Sequence, residues 1–223
     1  MRMNGETMDK ILAPLANACA FTHSLRAFRE SEVASQYVVA YRDDNQRATL
    51  ETLIRQEMPY PVKVTWAHGG PTRRDSVWNA LQKLDAKTTY VFIHDCARPL
   101  ILPSQLVDLL ELVRADGTAC VARRITDTIK QSPANHRDLR QMKLQNVPRE
   151  RLWAMETPQV FDRNLIVDAY RRVIETNMEV TDDAAAVESF GHTLSLFENN
   201  VPNLKLTTPP DFDLIQALLE RRI

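Results

Sequence analysis

This chain predicts an α/β fold built on a largely parallel, twisted sheet with helices on both faces, and three observations carry that reading. Apolar runs rich in β-branched and aromatic residues alternate with helix-like segments through the first half. The run Val91-Phe92-Ile93 ends abruptly in Asp95 and Arg98, the mark of a buried parallel strand with a polar tip. The 223 residues, 44% hydrophobic and 26% charged, suffice for one large domain, residues 1–223, with a substantial core.

Taken in order, Gln36 to Tyr41 reads as a strand and Asn45 to Gln56 as a helix. Val62 to Trp66 is the next strand; a glycine-containing loop then leads into a helix from about Asp75 to Leu84. Thr89 to Ile93 is a strand, Pro103 to Arg114 a helix and Thr118 to Ala122 a strand. This alternation favours right-handed βαβ units. Residues 124–156 break the rhythm: they are polar, poor in apolar residues and interrupted by Pro133 and Pro148. Such a stretch is a long loop or an arm that projects from the body. Beyond it, Phe161 to Thr176 reads as a helix, and Asp182 to Glu188 as another capped by Thr181 or Asp182. Thr193 to Glu198 reads as a strand and Asp211 to Arg222 as a closing helix.

Composition excludes several classes of function. A formal net charge of −1 provides no global field for nucleic acid or an anionic membrane. Arg73-Arg74, Arg123-Arg124 and Arg171-Arg172 are dispersed among acids and fit solvated faces. Three widely spaced cysteines without a CxxC pair indicate a reducing compartment rather than a disulfide framework or zinc site. No apolar run approaches the roughly 20 residues that span a bilayer. The N-terminus has no signal-peptide core, so the expected location is cytoplasmic.

Chemistry concentrates in short segments. Ligands of open α/β sheets bind beyond the carboxyl ends of strands, where Asp95 offers a hard oxygen suited to Mg²⁺ and Arg98 a planar fork suited to phosphate. The same two residues equally fit a structural pair bracing the turn at Pro99. In Gly69-Gly70-Pro71-Thr72-Arg73-Arg74-Asp75-Ser76, two glycines ahead of a helix N-terminus let backbone amides approach an anion, or simply make a turn. Thr126 to Lys130 could hold a phosphate or diol, and Lys205 between apolar neighbours is drawn inward or snorkels.

In this order and at these separations, the segments resemble the 2-C-methyl-D-erythritol 4-phosphate cytidylyltransferase family of nucleotidyltransferases. GGPTRRDSVWNAL at 69–81, HDCARP at 94–99 and DTIK at 127–130 carry the likeness. So do LWAMETPQVF at 152–161, TDDAA at 181–185 and NLKLT at 203–207. The resemblance, from about Lys10 to the C-terminus, implies a Rossmann-like nucleotidyltransferase fold with a projecting dimerisation arm. It implies cytidylyl transfer from CTP to a phosphorylated polyol in non-mevalonate isoprenoid biosynthesis, with release of pyrophosphate. Gly70, Arg73 and Ser76 would contact the cytidine, and Asp95 would hold Mg²⁺ on the triphosphate. Arg98, Thr128 and Thr157 would line the acceptor site, and Lys205 would orient the acceptor. Arg149 would reach the site of a neighbouring subunit and act in trans across a homodimer.

The family opens with a buried central strand and an Ala/Gly-rich loop ending in Arg-Met, followed some residues later by a Lys. Here Met1-Arg2-Met3 matches only the end of that loop. By resemblance Arg2 would stabilise the transition state and Lys10 would match the following Lys, although Asp9 precedes it where the family commonly has Pro. The expectation is a chain truncated relative to the family, with unpaired edges on the flanking strands and little cytidylyltransferase activity. Two alternatives stay open: a ribitol 5-phosphate cytidylyltransferase, and a non-catalytic remnant that dimerises.

Overall fold

The computed structural model describes residues 9–58, 62–134 and 140–222. Two short strands, β1 (Pro14–Leu15) and β2 (Ala18–Cys19), lead into α1 (Ala20–Ser31). Then come β3 (Gln36–Tyr41), α2 (Asp44–Glu57), β4 (Lys63–His68), α3 (Arg73–Leu81), β5 (Tyr90–Ile93), α4 (Pro103–Asp116) and β6 (Thr118–Arg124). A ribbon of β7 (Ile129–Gln131) and β8 (Gln145–Val147) follows, with one 3₁₀ turn at Arg149–Arg151. The chain closes with β9 (Trp153–Asp162), α5 (Arg163–Glu175), α6 (Asp183–Glu188), β10 (Leu196–Glu198) and α7 (Pro209–Glu220). Among the described residues no helix is long and apolar enough to cross a membrane.

Local chemistry sets the helix ends. Asp43 caps α2 by accepting from the Gln46 amide. Thr72 and Asp75 form a reciprocal capping box on α3, and Pro103 opens α4 at a position where its missing N–H is not needed. Gly117 ends α4 with φ 77°, a conformation that favours glycine. Asp182, one of the two expected caps, holds the N-terminus of α6 by accepting from Ala185.

The main sheet runs β10-β6-β9-β5. β10 and β6 are parallel, but the long β9 is antiparallel to both β6 and β5, so the sheet is mixed. The sequence pattern does not announce β9 as a strand, yet it inserts between two strands that the pattern does announce. Alternating side chains send Cys120 and Phe161 to the face covered by α5 and α6. Ala119, Val121 and Val160 go to the face covered by α1 and α4. Helices thus lie on both faces, as expected.

β3 and β4 form a separate parallel pair covered by α2, with Leu50 and Ile54 packing toward Val39, Tyr41 and Trp66. Between β3 and β5 lies a cavity of about 780 Å³. Strand residues 36–40 and 90–93 form its sides. Phe21, Leu25 and Phe28 of α1 line it, together with Val77, Ala80 and Leu81 of α3. Among the described residues, β5 pairs only with β9 and β3 only with β4.

Among the described residues the β7–β8 ribbon, which lies in the segment expected to be a loop or an arm, pairs only with itself, and most of its residues are exposed.

Candidate active site

Polar groups gather where the apolar strands stop. β5 ends at Ile93, and the next turn presents His94 and Asp95 at one end of the cavity, which Lys10, Arg73, Ser76 and Lys205 also line. Lys205 donates to Asp95 Oδ2 at 2.6 Å, and Arg73 Nε donates to Asp95 Oδ1 at 3.3 Å. Burial pushes the Asp95 carboxyl up, yet the Lys205 hydrogen bond and the charges of Arg73 and Lys205 more than offset it and hold it below the usual carboxylate range. Lys205 keeps 40% of its side chain exposed, so its ammonium faces both the carboxylate and the opening.

The loop ahead of α3 is held by its own backbone. Gly69 N donates to the carbonyl of Tyr41 at the end of β3, at 2.7 Å. Ser76 Oγ accepts from Gly70 N at 3.0 Å and donates to the Thr72 carbonyl at 2.9 Å. A Cβ on Gly70 would lie 2.3 Å from that of Asp75, so this position takes only glycine. The expected nucleotide residues Gly70, Arg73 and Ser76 therefore form one unit, with Ser76 bracing the loop.

Residues expected at the acceptor side divide. Arg98 donates through Nη1 to the Asn203 carbonyl at 2.8 Å, while its Nε is buried without a partner. Burial pulls the Arg98 guanidinium below its ordinary range. Thr157 is almost fully buried on β9, and its hydroxyl accepts from the Asp95 amide at 3.0 Å and lies 3.2 Å from His94 Nδ1. That places Thr157 behind Asp95, orienting the turn, instead of lining an open pocket. Thr128 is exposed at the start of the arm, and Arg149 donates to the Thr126 carbonyl of the same arm. Neither joins the cluster around Asp95 within one chain. Lys10 is exposed and lines the cavity, whereas Arg2 lies outside the described residues.

Several site residues escape a reading of the sequence. Asp183 is fully buried and takes Arg73 in a two-pronged pair, Nη1 to Oδ1 at 2.9 Å and Nη2 to Oδ2 at 2.6 Å. Tyr170 donates to the same Oδ1 at 2.5 Å. Buried Glu156 accepts from Asn199 and Asn203 at 2.9 and 3.2 Å and pairs with Arg123 at 3.3 Å. TDDAA and METPQ flag these stretches, but their partners lie tens of residues away. Cys96, next to Asp95, is no candidate nucleophile, because burial pushes its thiol up to about 12.

Mg²⁺ typically takes one or two carboxylates together with substrate phosphates and waters. Among the described residues no group of three or more His, Cys, Asp or Glu could hold an ion unaided. A lone Asp95 beside two cations fits Mg²⁺ only when phosphate oxygens complete the shell.

The family model for 2-C-methyl-D-erythritol 4-phosphate cytidylyltransferase matches residues 1–221. The chain belongs to this family. The cytidylyltransferase of Symbiobacterium thermophilum is 34% identical over 98% of this chain and 88% of its own length. The chloroplastic relative from Oryza sativa subsp. japonica is 32% identical over 98% of this chain and 70% of its own length. Among solved structures, the Thermus thermophilus cytidylyltransferase superposes with a TM-score of 0.77 at 26% identity, covering 95% of this chain and 94% of that one. The Anaerococcus prevotii synthase, at 21% identity and a TM-score of 0.83, covers 95% and 93% and agrees in fold. The Rossmann-like cytidylyltransferase fold inferred from the motifs is thus the family's own.

Proposed function

We propose that this chain transfers a cytidylyl group from CTP to the phosphate of 2-C-methyl-D-erythritol 4-phosphate, a step of isoprenoid biosynthesis. A phosphate oxygen of the acceptor attacks the α-phosphorus in line. The bond from that phosphorus to the bridging oxygen breaks, pyrophosphate leaves with the electron pair, and a new diphosphate linkage remains. Such chemistry depends on positioning and charge neutralisation more than on covalent help from the protein.

One observation carries this reading: Arg73 and Lys205 converge on Asp95 beside a cavity that Lys10 also lines. Two cations on one carboxylate at the mouth of a cavity suit a polyanion. On this reading the loop and Arg73 bind the nucleotide, Lys10 and Arg2 offset charge on the triphosphate, and Arg98, Thr128 and Lys205 hold the acceptor. Thr157 acts from behind by fixing the Asp95 turn. Mg²⁺, held by Asp95 and the triphosphate oxygens, would neutralise negative charge when bound. Arg149 belongs to the site of a second subunit in a homodimer; its seat on an exposed arm supports that assignment.

Pyrophosphate release with CTP, followed separately with methylerythritol 4-phosphate and ribitol 5-phosphate, tests the proposal. Preference for methylerythritol 4-phosphate is expected. Equal or better turnover of the ribitol compound would overturn the acceptor assignment. Failure to bind CTP with Mg²⁺ in a calorimeter would overturn the function.

A further inference from the structure

The TDDAA motif has so far no part in the reaction, and its second aspartate is the least expected group in the molecule. Asp183 has no exposed surface, and neither has Tyr170. A carboxylate placed there by α6 is costly to desolvate, and apolar packing would hold α5 and α6 together equally well. Its partner is instead Arg73, which keeps 35% of its side chain exposed toward the cavity end. The placement is itself braced from the sheet. Gln159 of β9 donates to Asp182 Oδ2 at 2.8 Å and accepts from the Ala184 amide at 2.9 Å, fixing both sides of Asp183.

Arg73 is fully specified by this arrangement. Of the five N–H donors of a guanidinium, two go to Asp183 and one to Asp95. The remaining two are left for a ligand. An arginine that left Asp183 to follow a ligand would strand a buried carboxylate with only the Tyr170 hydroxyl on it. Arg73 therefore waits in place, and its rotamer freedom is spent on folding rather than on binding.

We propose that Asp183 and Tyr170 are positioning residues that hold Arg73 aimed at the nucleotide, a role that rests on the cytidylyltransferase reading. They touch neither CTP nor the acceptor and act only through the guanidinium. The opposing view makes the trio a staple between α3, α5 and α6 with no bearing on the ligand.

Tyr170→Phe separates the two views, because it keeps the buried ring and removes one hydrogen bond. The Arg73 Nε–H order parameter, measured by NMR without ligand, is expected to fall on removal of the hydroxyl. CTP affinity by calorimetry is expected to weaken roughly 3- to 10-fold, the usual worth of one hydrogen bond, with acceptor affinity unchanged. In an Arg73→Lys background the same Tyr170→Phe change should leave CTP affinity where Arg73→Lys put it. Asp183→Asn should weaken CTP more than Tyr170→Phe does. Unchanged Arg73 order with CTP binding intact would overturn the positioning role alone. An equal loss of CTP affinity in the Arg73→Lys background would assign the trio to structure and also overturn it. No CTP binding by the unaltered protein would remove the cytidylyltransferase reading, and with it the ligand proposed for Arg73.

Discussion

The two parts of the sheet are built from similar residues but finished differently. In the four-stranded part, β6 is buried along its first five residues and β9 along six, since each has a strand on both sides and helices above and below. In the β3–β4 pair, Tyr37, Val38 and Val39 are as apolar as anything in β6 yet stay half-exposed, because one edge of β3 borders the cavity. Burial of a strand is thus a property of its neighbours more than of its own sequence. The site sits where the two parts meet: Asp95 comes from the larger part, and Gly69 is tied to Tyr41 of the smaller.

Four measurements sharpen or break that contrast. The largest effect is expected from Phe161→Ala in β9, whose ring is fully buried between α5 and the sheet. A loss of about 3–5 kcal/mol in denaturant unfolding is expected. A loss near that of a surface substitution would mean the four-stranded part is not the stable core.

Next comes pH. His94 lies on the border, its ring packed 5.6 Å from Phe28 and its Nε2 buried without a partner. Burial pulls its pKa from 6.5 down to about 4. The unfolded chain therefore takes up a proton between those values while the folded one does not. Stability is complete above pH 6.5 and falls as the pH drops toward 4, by on the order of 3 kcal/mol. His94→Gln should flatten that window. A slope that persists unchanged would place its cause elsewhere.

Asp95→Asn is expected to lower CTP-dependent turnover about 100-fold, as for other single electrostatic contacts of a reacting centre. Melting should shift only slightly, since Lys205 keeps solvent access. Unchanged turnover would remove Asp95 from the site. The smallest effect is expected from Val39→Ala in β3, about 1 kcal/mol, because its side chain is only partly buried. A loss matching that of Phe161→Ala would show that the two parts unfold as one tightly coupled unit.

The alternation of strands and helices is legible because apolar runs in β3, β5 and β6 are continuous and bounded by polar turns. β9 is not, because Glu156, Thr157 and Gln159 occupy buried positions that a sequence reader assigns to a loop. Each is satisfied by a partner from another element: Asn203 for Glu156, the Asp95 amide for Thr157, and Asp182 for Gln159. Helix α1 goes unread although Phe21, Leu25 and Phe28 mark one helical face. The residues at the strand tips stand out because a charge after an apolar run is a local signal. The Asp183–Arg73 pair spans 110 positions and leaves no such signal.

The exposed β7–β8 ribbon also bears on how the protein behaves in concentrated solution. Its edges present main-chain donors and acceptors to a strand that comes alongside, and at a net charge of −1 copies of the chain barely repel one another. Moving the pH away from neutrality, or adding acidic residues on the ribbon, is therefore expected to raise solubility without touching the core.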